Sequence, residues 1–151
     1  MKNENKLKIV FLIPFFKIGG VERWVSYAQK ALKSSYFEVE ILCFVEISIS
    51  EDYFCSWSTI KSVNLLYLIK LLFNKNVLII TALTKLNFVF AILGFLPYKH
   101  MSSIHLSLEK KSFESNIKYI LRRLVHKIIG RYSNVVLCVS KGIESEFKDL
   151  C

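Results

Sequence analysis

Apolar residues follow two rhythms along the chain, and the rhythms alternate. A continuous apolar, β-branched run of the kind that forms a strand covered on both faces occurs at 8–14 (KIVFLIP), and further strands are read at 38–44 (EVEILCF), 77–81 and 135–139. Between them the spacing changes to three and four residues. In 21–32, Val21, Trp24, Val25, Ala28 and Leu32 share one face, while Glu22, Arg23, Gln29 and Lys30 are polar. The stretch 61–73 places Val63, Leu66, Ile69 and Phe73 on one side, and Ser34-Ser35 closes the helix before it. Further helices are predicted over 84–96, ended by Pro97, and over 113–132. In the latter, Phe113, Ile117, Ile120, Leu121, Leu124 and Ile128 form the stripe expected to face the core. The run 99–105 reads as a strand of weak apolar content, 47–50 as a short edge strand, and 141–150 as a last helix that Ser140 caps.

The order is strand and helix in strict alternation. Such alternation builds βα units around a parallel sheet with helices on both faces, a Rossmann-like doubly wound α/β fold. Ligands of open sheets of this kind bind beyond the carboxyl ends of the strands. Candidate residues should therefore follow Pro14, Phe44, Thr81, His105 and Val139. The segment 77–97 has a length that could span a bilayer, but Lys85 and Asn87 near its middle favour a strand followed by a helix.

Composition narrows the classes further. The chain has 151 residues, 53% of them hydrophobic, with five Gly and two Pro, which excludes a disordered or fibrous protein. Of the four cysteines, Cys43 and Cys138 lie in apolar runs, and none is paired at metal-ligand spacing, so neither a metal site nor a disulfide scaffold is expected. No signal peptide is read at the N-terminus, and the expected setting is cytoplasmic. The net charge of +9 is uneven, since residues 99–131 alone carry a net +6. This favours an anionic partner. Lys118, Arg122, Arg123, Lys127 and Arg131 read as a basic face opposite the apolar stripe. Such a face is a solvated helix surface or a contact for an anionic membrane surface, peripheral to its inner side. His126 is expected on that polar side, in solvent. No nucleic-acid motif is present, and no nucleic-acid partner is expected.

The residues that could carry chemistry begin at the first strand–helix junction. Gly19-Gly20 admit close approach to the backbone, and a helix start offers N–H groups and a positive dipole end to a phosphate. The same residues also suit a plain strand–helix turn. Neither G-x-G-x-x-G nor a Walker A loop occurs, so a nicotinamide fold or a P-loop enzyme is not supported.

KIVFLIPFFKIGGVERWVSYAQKAL resembles the opening of GT-B glycosyltransferases of family 4, with Gly19, Gly20, Glu22 and Arg23 matching that family's Gly-Gly-x-Glu-Arg turn. NVVLCVSKGI, starting at Asn134, resembles the family's strand ending in Val-Ser. The strand at 77–81 resembles the one after a Lys-Pro-Asp turn, although Asn76 replaces the acid and the Pro is missing. The strand 102–105 resembles one that ends in a His beside the acceptor.

The resemblance covers nearly the whole chain but only the N-terminal half of the family's architecture. It implies that residues 1–151 form a single Rossmann-like N-terminal domain, with the C-terminal donor-binding domain absent. It implies transfer of a sugar from a nucleotide-sugar to a glycan or lipid-linked acceptor in envelope polysaccharide synthesis. No metal and no cofactor beyond the nucleotide-sugar donor are implied. Gly19 and Gly20 would hold the donor diphosphate. His105 would act at the catalytic and acceptor side, and Glu109 would bind an acceptor hydroxyl. On its residues alone, His105 reads rather as a surface or internally satisfied histidine. The alternatives to a transferase half are a non-catalytic acceptor-binding or membrane-docking subunit, completed by a second chain, and a truncated inactive remnant.

Overall fold

The computed structural model describes residues 7–15, 19–32, 36–45, 60–109 and 112–151. Its elements are β1 (Leu7–Phe15), α1 (Gly20–Leu32), β2 (Phe37–Val45), β3 (Ile60–Ser62), α2 (Leu65–Leu72), β4 (Val77–Ala82), α3 (Thr84–Ile92), a 3₁₀ turn (Leu93–Phe95), β5 (Lys99–Ile104), α4 (Asn116–Tyr132), β6 (Val135–Cys138) and α5 (Lys141–Lys148). The strands form one all-parallel six-stranded sheet in the order β3-β2-β1-β4-β5-β6, flanked by helices. That is the strand order of a doubly wound sheet, with the direction of winding reversing between β1 and β4. The expected fold class is therefore observed.

By packing, the chain divides into two compact units, one of residues 1–80 with 96–99, the other of 81–95 with 100–151. In the first unit, β1 pairs in parallel with β2 from Leu7↔Phe37 to Phe15↔Val45. Ile9 to Ile13 are all buried, which explains why this strand is apolar without alternation. Helix α1 buries Val25, and Trp24 meets Phe11 edge to face at 5.8 Å between ring centroids. At the β1–β2 edge, Lys8 reaches Glu38 (2.6 Å) and Glu40 (3.2 Å), and Glu40 also takes Lys61 (2.8 Å). The Tyr67 hydroxyl donates to Glu40 at 2.5 Å. These partners outweigh burial and hold the Glu40 carboxyl below its usual range.

In the second unit, Ala91, Ile104, Leu108, Ile129, Ile143 and Phe147 form the core. Strand β5 pairs with β6 from Met101↔Val135 to Ile104↔Cys138. As expected, the segment 77–97 divides into a strand and a helix. Among the described residues, no helix is long and apolar enough to cross a membrane.

Four expectations are corrected. The predicted helix over 61–73 begins later, because Ile60–Ser62 adds to the sheet edge as β3 and Asn64 then caps α2 through Leu66 N–H at 2.9 Å. Its stripe faces outward: Leu66, Ile69 and Phe73 are exposed, while Leu68, Leu71 and Leu72 are buried. The helix is apolar nearly all round, so periodicity could not select its inner face. The stripe of α4 also faces outward. Phe113, Ile117, Ile120, Leu121 and Leu124 are exposed, and α4 buries Ile129 and His126 instead. His126 is thus not solvated. The Arg122 carbonyl lies 2.7 Å from its Nδ1, and burial depresses its pKa. The edge strand read at 47–50 and the Ser34-Ser35 helix end lie outside the described residues.

Candidate functional site

The β1–α1 junction lies in the first unit. Gly19 precedes the helix and Gly20 opens it, with Arg23 N–H donating to the Gly19 carbonyl at 3.2 Å. Glu22 is buried, three residues after Gly19, and its carboxylate folds back over Gly19. A Cβ on Gly19 would lie 2.5 Å from Glu22 Oε2. This is the place from which an acid in the first helical turn reaches back to the helix start. The spacing of Gly19 and Glu22 thus has a local cause: the glycine leaves room for the carboxylate.

Gly20 has no such cause. No described atom lies within 4 Å of the point where its Cβ would be. Its φ is not positive either. Here neither packing nor backbone conformation requires it. It leaves the exposed backbone of Gly20 without a side chain over it among the described residues.

In the second unit, β5 ends at Ile104 and His105 follows, half-buried, with Nε2 2.8 Å from Ser103 Oγ. Burial lowers its pKa, so the imidazole is neutral at neutral pH. A neutral ring suits hydrogen bonding to a hydroxyl rather than neutralisation of a diphosphate.

The segment after His105 is anchored from two sides. Glu146 of α5 accepts from Ser107 Oγ (3.0 Å) and from Leu108 N–H. Arg122 of α4 donates to the carbonyls of Ser107 and Glu109 (both 2.7 Å) and pairs with Glu114 at 2.7 Å. Arg122 therefore points toward the protein, whereas Lys118, Arg123, Lys127 and Arg131 are exposed. Glu109 lines a half-open pocket of about 150 Å³ with Leu108, Tyr119 and Arg123. His105 is not among its lining residues, so the two expected acceptor-side residues do not share this pocket. Ser140 caps α5 as expected, accepting from Ile143 N–H at 3.3 Å.

One buried polar cluster of the second unit has no counterpart among the candidate residues above. His100 is fully buried on β5, with Nε2 2.8 Å from Thr81 Oγ1. Asn87 Nδ2 donates to the Ser103 carbonyl (2.9 Å), which turns its Oδ1 toward Thr81, and Thr81 donates to it at 2.6 Å. Thr81 has a single hydroxyl proton, so this assignment makes His100 the donor from Nε2. Burial lowers the His100 pKa to about 4, so the ring is neutral. Asn134 Oδ1 accepts from His100 N–H at 2.7 Å, and Ser102 and Ser133 hydroxyls meet at 2.8 Å. The signal in the sequence is the concentration of His and Ser on one strand, 99–104, with Thr81 at the end of the strand before it. A scan against models of known protein families finds no match for this chain, and a search of curated proteins finds no significant relative.

Proposed function

We propose that the chain is the acceptor-side half of a GT-B-type glycosyltransferase. It would transfer a sugar from a nucleotide-sugar to a glycan or lipid-linked acceptor, within envelope polysaccharide synthesis at the inner face of a membrane. The carrying observation is Gly20. It stands first in α1, directly behind Gly19 and ahead of Glu22 and Arg23, at the carboxyl end of a doubly wound sheet's β1. Among the described residues, nothing in the local packing calls for a glycine there.

In this reading the diphosphate of the donor approaches the backbone at Gly19 and Gly20. Their N–H groups and the positive end of α1 stabilise the negative charge that grows on the leaving group. The remaining contacts to the nucleotide-sugar come from a donor-binding domain, in the same or another polypeptide. His105, as a neutral imidazole, orients an acceptor hydroxyl by hydrogen bonding, and Glu109 contributes at the rim of the neighbouring pocket. No metal or further cofactor enters the reading.

The test is transfer of labelled sugar from nucleotide-sugars to extracted lipid and glycan acceptors. It is run on this chain alone and on the chain mixed with donor-binding domains. Transfer in either arm supports the proposal. Activity only on mixing identifies a subunit of a split enzyme, and none in either arm leaves a non-catalytic subunit or an inactive remnant. Gly20→Val should preserve the fold, because no described atom lies where its Cβ would be, and should lower transfer at least roughly tenfold by blocking one backbone donor. Unchanged transfer by a folded Gly20→Val chain would remove the diphosphate role.

A further inference from the structure

The half-open pocket of about 150 Å³ in the second unit is lined from α4, from the end of α5 and from the segment after β5. Leu108 and Leu150 make part of its lining apolar, and Tyr119 makes part aromatic. Its charged groups divide into two sets. Glu146 is committed to the protein through Ser107 Oγ and Leu108 N–H. Glu109, Arg123 and Asp149 are exposed, and among the described residues none of them forms an ion pair. Arg123 is instead held on Tyr119, with Nη1 donating to the hydroxyl at 3.0 Å and the guanidinium carbon 5.6 Å from the ring centroid. Asp149 stands at the carboxyl end of α5, where the helix dipole disfavours an acid.

Two acids and one cation thus line a single pocket without neutralising one another. That lining selects a ligand with both signs of charge. A phosphate would meet Arg123 but also the carboxylates, and a simple cation would meet the acids but also the guanidinium. A neutral sugar would cover these charges without pairing them. The volume lies below the roughly 300 Å³ at which pockets for drug-sized ligands begin, so the ligand is small. We infer that the pocket binds a free α-amino acid with an aliphatic side chain. Its carboxylate takes N–H donors of Arg123 that Tyr119 leaves free, its ammonium pairs with Asp149 and Glu109, and its side chain meets Leu108 and Leu150.

Amino-acid binding here goes beyond the glycosyl-transfer reading, and either property can be absent while the other is present. Glu109 serves the rim in that reading as well, so Asp149 and Arg123 are the residues to vary. The experiment is amide NMR of the isotope-labelled full chain, titrated to about 20 mM of each probe, above the millimolar affinity expected of a half-open site. L-Leucine should shift the amides of 108–109, 119–123 and 146–150 saturably. Isoamylamine, which lacks the carboxylate, and isocaproate, which lacks the ammonium, should bind at least roughly fivefold more weakly, about the worth of one exposed charge pair. Asp149→Asn should weaken leucine and isoamylamine at least roughly fivefold and leave isocaproate unchanged. Arg123→Gln should weaken leucine and isocaproate to the same extent and leave isoamylamine unchanged. Amides outside the pocket that keep their positions report that each variant is folded. Absence of a saturable shift with leucine, equal binding of the three probes, or undiminished leucine binding by either folded variant would overturn the inference. So would binding of methyl α-D-glucoside as tight as that of leucine, which would make the pocket a sugar site.

Discussion

Gly94 and Gly20 are glycines for opposite reasons. A Cβ on Gly94 would lie 2.7 Å from the carbonyl oxygen of Tyr132, a backbone atom that cannot swing aside. Gly94→Ala should therefore cost about 1–3 kcal/mol, the range for overpacking, and lower the melting temperature by several degrees. An unchanged melting temperature would show that the 3₁₀ turn and the end of α4 shift freely. His100 offers a second test at this scale. Its folded pKa of about 4 lies below the ordinary value of 6.5 because the ring is buried. The unfolded chain therefore binds a proton at higher pH than the folded one. The stabilisation is complete above pH 6.5 and is lost as pH falls from there toward 4. The full loss is on the order of 3 kcal/mol. His105 and His126 are depressed in the same direction and add to the slope. Urea denaturation between pH 7.5 and 5, above the range in which Glu40 takes up its proton, should show this decline, and His100→Asn should flatten it. An equal slope in that variant would place the titration elsewhere.

At the scale of elements, β5 shows where sequence periodicity stops being informative. KHMSSI has few apolar residues, yet His100, Ser102, Ser103 and Ile104 are all buried. The strand tolerates burial because its polar atoms find partners on β4, on α3 and after α4, which a linear pattern cannot display. Asn87, which looked like an argument against a membrane span, ties α3 to β4 and β5 through Thr81 and the Ser103 carbonyl. Asn87→Ala should cost about 1–3 kcal/mol for each buried group left without a partner. A loss in urea denaturation no greater than that of the exposed Lys85→Ala would contradict this. Helix α4 gives the converse lesson. Its apolar spacing was legible, but its orientation was not, because the choice of inner face rested on assuming that the apolar side meets the core. The contacts that reverse it, Glu114 with Arg122 and the carbonyls after β5, join residues whose approach only the fold reveals.

At the scale of the whole molecule, the alternation of buried runs and helical spacing was enough to anticipate a doubly wound parallel sheet, and the order β3-β2-β1-β4-β5-β6 agrees with it. Five of the six strands were legible because their buried runs or flanking helices mark them; β3 was not, since Ile60–Ser62 is three residues at a sheet edge. The Gly-Gly turn was legible as a motif, but the sequence could not separate its two glycines. The geometry does, assigning Gly19 to the space Glu22 needs and leaving Gly20 without a structural requirement among the described residues. The claim that Gly20 marks a diphosphate site is therefore the central one. Its most direct test is titration of the isotope-labelled chain with UDP- and GDP-sugars, followed by amide NMR. Concentration-dependent shifts centred on the Gly19, Gly20 and Val21 amides, abolished in a folded Gly20→Val chain, are the expected result. Shifts confined to other amides, or undiminished in Gly20→Val, would contradict it.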